Sequence, residues 1–130
     1  ECDASRIFKD AYVNCSQEDI VIMNSPVGLP GRAIRGQFLD RVSAGHKETF
    51  KCPWKCLKTC NFKTTPYCIC SALTNAKQGN LDHGFAFAGQ NAHRVDRIVP
   101  VSELVRILLD EYAAAESRTT VPGVVPALNA

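Results

Sequence analysis

The sequence has no long hydrophobic run. Its longest unbroken apolar stretches, such as Ile20–Met23, fall far short of the roughly 20 residues that a membrane-spanning helix needs. No charged head followed by an apolar stretch opens the chain, so no signal peptide is read there. Neither sign of charge dominates: 15 Lys and Arg stand against 13 Asp and Glu, a formal net charge of +2. So weak a field argues for neither nucleic acid nor a membrane surface as a partner. The chain also lacks an internal repeat, a G-x-G-x-x-G fingerprint and a Walker lysine, which removes the usual phosphate-cradling loops.

What remains describes an ordinary globular sequence: 130 residues, 45% hydrophobic and 22% charged, enough for one domain with a modest core. Cysteine is the anomaly. Cys2, Cys15, Cys52, Cys56, Cys60, Cys68 and Cys70 make an odd number, clustered in one stretch and absent thereafter. That pattern fits a secreted disulfide scaffold poorly. It suits a cytoplasmic protein with reduced thiols, some of them binding metal. The chain begins with Glu1 and enters a helical pattern almost at once, which suits a segment of a larger gene product.

Along the chain, Asp3 is positioned to cap a helix whose apolar face is Ile7, Phe8, Ala11, Tyr12 and Cys15. Ile20–Met23 is a short, β-branched run, read as a strand covered on both faces as in a parallel sheet. Ser25-Pro-Val-Gly-Leu-Pro-Gly31 cannot be helix interior, because prolines lack an amide donor. It reads as a stiff elbow leading from that strand into a helix starting near Gly31, with Ile34, Phe38, Leu39 and Val42 as its stripe and Gly45 and His46 as its stop. Arg32 and Arg35 there read as surface residues ahead of anion ligands. Residues 47–64 are basic and cysteine-rich without a clean period. Thr65 and Pro66 then make a helix start, Ile69, Ala72, Leu73 and Ala76 its buried stripe, and Gly79 its left-handed stop. Phe85–Gly89 is a short apolar segment. Ser102 caps a last helix carrying Leu104, Val105, Leu108, Leu109 and Tyr112 on one face, a docking surface that would promote self-association if left uncovered. The divisions read from this pattern are 1–45, 46–118 and a disordered tail at 119–130.

The cysteine cluster carries the sharpest chemical expectation. On a helix, Cys52, Cys56 and Cys60 would line up at i, i+4 and i+8, with Cys68 or Cys70 folding back as a fourth thiolate. Four thiolates suit zinc or an iron–sulfur cluster, and Lys51, Lys55, Lys58 and Lys63 nearby would favour the thiolate form. The site so expected is Cys52, Cys56, Cys60 and Cys68. Against it, C-x₃-C-x₃-C is not a standard zinc-ribbon spacing, and buried cysteines also pack as small hydrophobes.

Three stretches taken in order carry a family likeness: Asp19–Arg35, reading DIVIMNSPVGLPGRAIR; Cys52–Cys60 with Pro66–Ile69, reading CPWKCLKTC and PYCI; and Gly84–Val95, reading GFAFAGQNAHRV. Together they resemble the C-terminal third of the nitronate monooxygenases, relatives of the flavin-dependent enoyl-acyl-carrier-protein reductases. The resemblance covers Glu1 to about Tyr112. It implies an α/β fold, the C-terminal part of an FMN-binding (β/α)₈ barrel with a helical extension, the segment itself being mostly helical with one or two short strands. It also implies an FMN-dependent oxidoreductase in which a nitronate passes electrons to the flavin and the reduced flavin meets dioxygen. In the reductase branch the substrate is an enoyl thioester. A whole barrel needs about 250 residues, so this chain alone is expected to be inactive. None of His46, His83 and His93 stands in the motif of the family's histidine base. Only Gly89 and Gln90 carry over as cofactor-proximal, the glycine for close backbone approach and the glutamine amide as donor and acceptor. A non-catalytic, cysteine-rich metal-binding module is the reading from another class.

Overall fold

The computed structural model describes residues 2–52, 55–58 and 60–119. Pro53, Trp54 and Thr59 of the cysteine motif, and the tail from 120 on, lie outside the described residues. The chain forms two compact units, Cys2–Ile98 and a second from Val99 onward. As expected, it is mostly helical with one small sheet.

The first unit opens with helix α1 (Arg6–Asn14), whose N-cap is Ser5, not Asp3. The Ser5 hydroxyl accepts from the Phe8 amide at 3.1 Å, satisfying a donor the first turn leaves free. Asp3 instead pairs with Lys77 at 3.0 Å. A short 3₁₀ turn at Gln17–Asp19 leads into strand β1 (Ile20–Asn24), which pairs antiparallel with β2 (Pro30–Ile34). The expectation of a parallel strand covered on both faces is thus corrected: Ile22 is 71% exposed while Met23 is buried, the alternation of a sheet with one wet face.

The elbow is likewise corrected. Residues 25–29 turn a hairpin, with the Gly28 amide donating to the Ser25 carbonyl at 3.1 Å and the Ser25 amide to the Leu29 carbonyl at 3.2 Å. Gly28 takes φ +94° there, a left-handed conformation that suits glycine. Pro30 sits at the first position of its strand, where a missing donor is tolerated. Arg32 and Ile34 therefore belong to a strand, and helix α2 spans only Gln37–Ser43. Its end is as read, Gly45 lying at φ +90°. The Phe85–Gly89 segment adds a rung to β2: the Ile34 amide donates to the Ala86 carbonyl and the Ala88 amide to the Arg32 carbonyl, each at 3.0 Å.

Helix α3 (Ile69–Lys77) begins three residues after Pro66, with Cys68 as its N-cap. The Thr65 hydroxyl spends itself on the Tyr67 carbonyl at 3.3 Å and caps nothing. Gly79, at φ +92°, stops the helix as expected. The core is aromatic. Phe38 of α2, Tyr67 and Phe85 are almost fully buried, with ring centroids 5.0 Å apart for Phe38–Tyr67 and 6.0 Å for each of the other pairs. Burial of each ring contributes about 2–3 kcal/mol, and edge-to-face contacts add roughly 1 kcal/mol. Ala72 and Ala76 keep α3 slim enough for the chain at Gly84 to lie directly against its backbone.

The second unit contains helix α4 (Val101–Thr119). Ser102 lies within it and is not its cap. Leu104, Val105, Leu108, Leu109 and Tyr112 are exposed along it. No helix among the described residues is long and apolar enough to cross a membrane.

Candidate functional site

The strand-poor stretch between α2 and α3 brings the expected cysteines together, though not on a helix. Among its described residues, 46–68 hold neither helix nor strand. Even so, Cys52, Cys56, Cys60 and Cys68 all line one cavity of about 220 Å³. Val27, Phe50, Leu57, Phe62 and Ile69 make its apolar wall, and Lys55 and Lys58 its basic part. Cys68 reaches it because it caps α3, and Cys56 lies beside Cys70, sulfur to sulfur at 3.9 Å. All seven cysteines are unpaired. As placed, no three His, Cys, Asp or Glu side chains among the described residues already form a metal-holding group.

The lysines do not act as expected on two of these thiols. Burial pushes the Cys60 thiol up from its ordinary value, and the neighbouring Cys52, Cys56 and Cys68 push it further. Cys70 is pushed up as well, first by its hydrogen bond with Cys56, then by burial and by the other cysteines. Crowded thiols resist becoming crowded thiolates.

Gly89 and Gln90 stand elsewhere. Both are exposed, neither lines the cysteine cavity, and a Cβ built on Gly89 would meet nothing within 4 Å. The Gly89 carbonyl accepts from the Ala92 amide at 3.1 Å, starting the short turn Ala92–Arg94. The segment before them is held in place from α1: the Tyr12 hydroxyl donates to the Phe87 carbonyl at 2.6 Å. Arg32 and Arg35 are exposed, in keeping with the surface reading.

A second cavity, about 160 Å³, went unread in the sequence. Glu48, Tyr67, Ser71, Asn75 and His83 line it, and Phe50 and Cys68 border both cavities. Glu48 is the hub of a polar cluster, 3.4 Å from Arg41, 3.6 Å from His46 and 3.7 Å from His83. Arg41 also donates to the Asp82 carbonyl. Tyr67, by contrast, has a buried hydroxyl with no hydrogen-bond partner among the described residues, and burial pushes its pKa up to about 12. These residues are scattered over some forty positions with no shared period, and the only local hint was a charged run of Arg41, His46, Lys47 and Glu48.

Among curated protein sequences, none matches the chain. Among solved structures it is similar to FabK from Thermotoga maritima, with a TM-score of 0.65 and 21% identity over 88% of this chain. The chain spans only 33% of that protein's length, so the likeness establishes a shared fold for one part of a longer molecule. The sequence pattern of the family described as nitronate monooxygenase matches residues 1–111, taking in all three motif stretches, the cysteine cavity and Gly89–Gln90. The chain belongs to the nitronate monooxygenase family.

Proposed function

We propose that these residues are the C-terminal segment of a cytoplasmic FMN-dependent oxidoreductase that oxidises alkyl nitronates with dioxygen. The observation that carries this reading is the family pattern matching residues 1–111. The described residues do not form a flavin site by themselves. The loop at 25–29 is a hairpin turn and not a phosphate cradle, and a complete barrel is about twice this length. They do fit one edge of such a site. Gly89 leaves open space above its α-carbon, where a flat ring system can approach the backbone, and the exposed Gln90 amide offers both a donor and an acceptor beside it.

FMN supplies the electron-accepting chemistry when bound, and the polypeptide positions and desolvates the substrate. In this chain the positioning falls to the strand rung before Gly89. The Tyr12 hydroxyl and the two β2 hydrogen bonds fix the backbone from Ala86 to Ala88, so Gly89 enters its turn from a rigid support. The test is anaerobic addition of an alkyl nitronate to the complete gene product. Bleaching of the flavin absorbance, reversed by air, is the expected result. A flavin that bleaches only with a reduced nicotinamide, and then turns over an enoyl thioester, would move the protein to the reductase branch.

A further inference from the structure

We infer that Cys52, Cys56, Cys60 and Cys68 form a four-thiolate site for a thiophilic metal centre, a zinc ion or an iron–sulfur cluster. The inference is independent of the flavin reading. Its first support is convergence: four cysteines spread over a stretch without helix or strand among its described positions border one cavity. None of the four is buried, so packing as small hydrophobes does not account for their grouping.

The second support is how the sulfurs are served. The Lys55 amide donates to the Cys52 sulfur at 3.4 Å, and Lys55 adopts φ +42° to do so. The left-handed region costs a lysine roughly 1–2 kcal/mol, so the turn is held against its own preference. An N–H aimed at a sulfur stabilises a metal-bound thiolate and tunes the centre. The third support is charge. A divalent ion or a cluster on four thiolates leaves a net negative centre, and Lys55 and Lys58 line the same cavity.

As placed, the four do not already form a metal-holding group among the described residues, so binding requires their side chains to close on the metal. Four metal–sulfur bonds form, each thiol releases its proton to solvent, and no electron is transferred. Affinity therefore rises with pH. Cys70 faces Cys56 but does not line the cavity, and we place it outside the ligand set.

The test is metal analysis of the 130-residue chain, expressed with iron and zinc supplied and purified without oxygen. The inference expects about one zinc, or about two or four irons with matching sulfide, per chain. A colourless protein marks zinc and a brown one the cluster. Cys60→Ser and Cys52→Ser should each lower the metal at least tenfold, while Cys2→Ser and Cys70→Ser keep it. Where a ligand variant fails to fold, thiol counting on the unaltered chain decides: four thiols should react with a disulfide reagent only after a chelator is added. A folded, metal-free chain overturns the inference. So does equal metal in Cys60→Ser and Cys2→Ser, or a mass two hydrogen atoms lighter that marks a Cys56–Cys70 disulfide in place of bound metal.

Discussion

Gly84→Ala tests the packing of the core more sharply than any aromatic substitution. An added Cβ would lie 2.1 Å from the Ala72 carbonyl oxygen and 2.8 Å from the Ala76 amide nitrogen, where ordinary contact begins near 3.4 Å. Both atoms belong to the backbone of α3, so no side chain can rotate aside. The backbone of Gly84 is extended, at φ −165°, so alanine meets no conformational penalty and the whole effect is steric. The helix must move by about an ångström, which pulls Ala72 away from its neighbours in the core cluster, Phe85 among them. Overpacking costs about 1–3 kcal/mol even when side chains can adjust, so a backbone clash belongs at the top of that range. At roughly 4–8 °C per kcal/mol for a unit of this size, the melting temperature should fall by about 12 °C or more. The assay is thermal unfolding of the chain followed by circular dichroism, with Gly89→Ala as control because its Cβ meets nothing within 4 Å. A Gly84→Ala variant that melts with the control would refute the close approach of this segment to α3.

Tyr67→Phe should stabilise the chain by about 1 kcal/mol in denaturant titration, since it removes a buried hydroxyl that has no partner. The same residue predicts an alkaline instability. Its folded pKa is raised from 10.0 to about 12, so the folded state favours the neutral phenol. That contribution, about 2–3 kcal/mol at most, is complete below pH 10 and is lost as pH rises toward 12; Tyr67→Phe should flatten the loss. Tyr12→Phe should cost about 1 kcal/mol, because the Phe87 carbonyl loses its donor, and should weaken flavin binding in the complete protein more than it weakens folding. Alkylation at neutral pH should label exposed Cys2 well before buried Cys15, whose thiol is pushed up by burial and by Asp19, as peptide mass mapping would report.

Local grammar was legible wherever it was self-contained. Gly45 and Gly79 stop helices in left-handed conformations, as their positions after apolar stripes imply. That Cys52, Cys56, Cys60 and Cys68 border one cavity was legible as a cluster in the sequence, but the helical spacing that grouped them was not the cause: the described residues of 46–68 hold neither helix nor strand. The β2 error has a physical source. Ile34, Phe38 and Val42 are spaced four apart and imitate a helical stripe, but Ile34 belongs to a strand fixed by hydrogen bonds to Ala86, some fifty residues away. No local pattern encodes that pairing. Helix starts failed similarly. Asp3, Thr65 and Ser102 all have capping chemistry, but Asp3 found Lys77, Thr65 found the Tyr67 carbonyl, and Ser102 falls inside α4. The Glu48 cluster and Tyr67 were illegible because their importance arises only once α2, α3 and the intervening loop meet.

The most direct measurement is flavin titration of two polypeptides side by side, the 130-residue chain and the complete gene product that contains it. The account predicts that the complete product binds FMN at about one per chain, as a single barrel requires, while the 130 residues leave the flavin's fluorescence unquenched. Stoichiometric quenching by the 130 residues alone would contradict it.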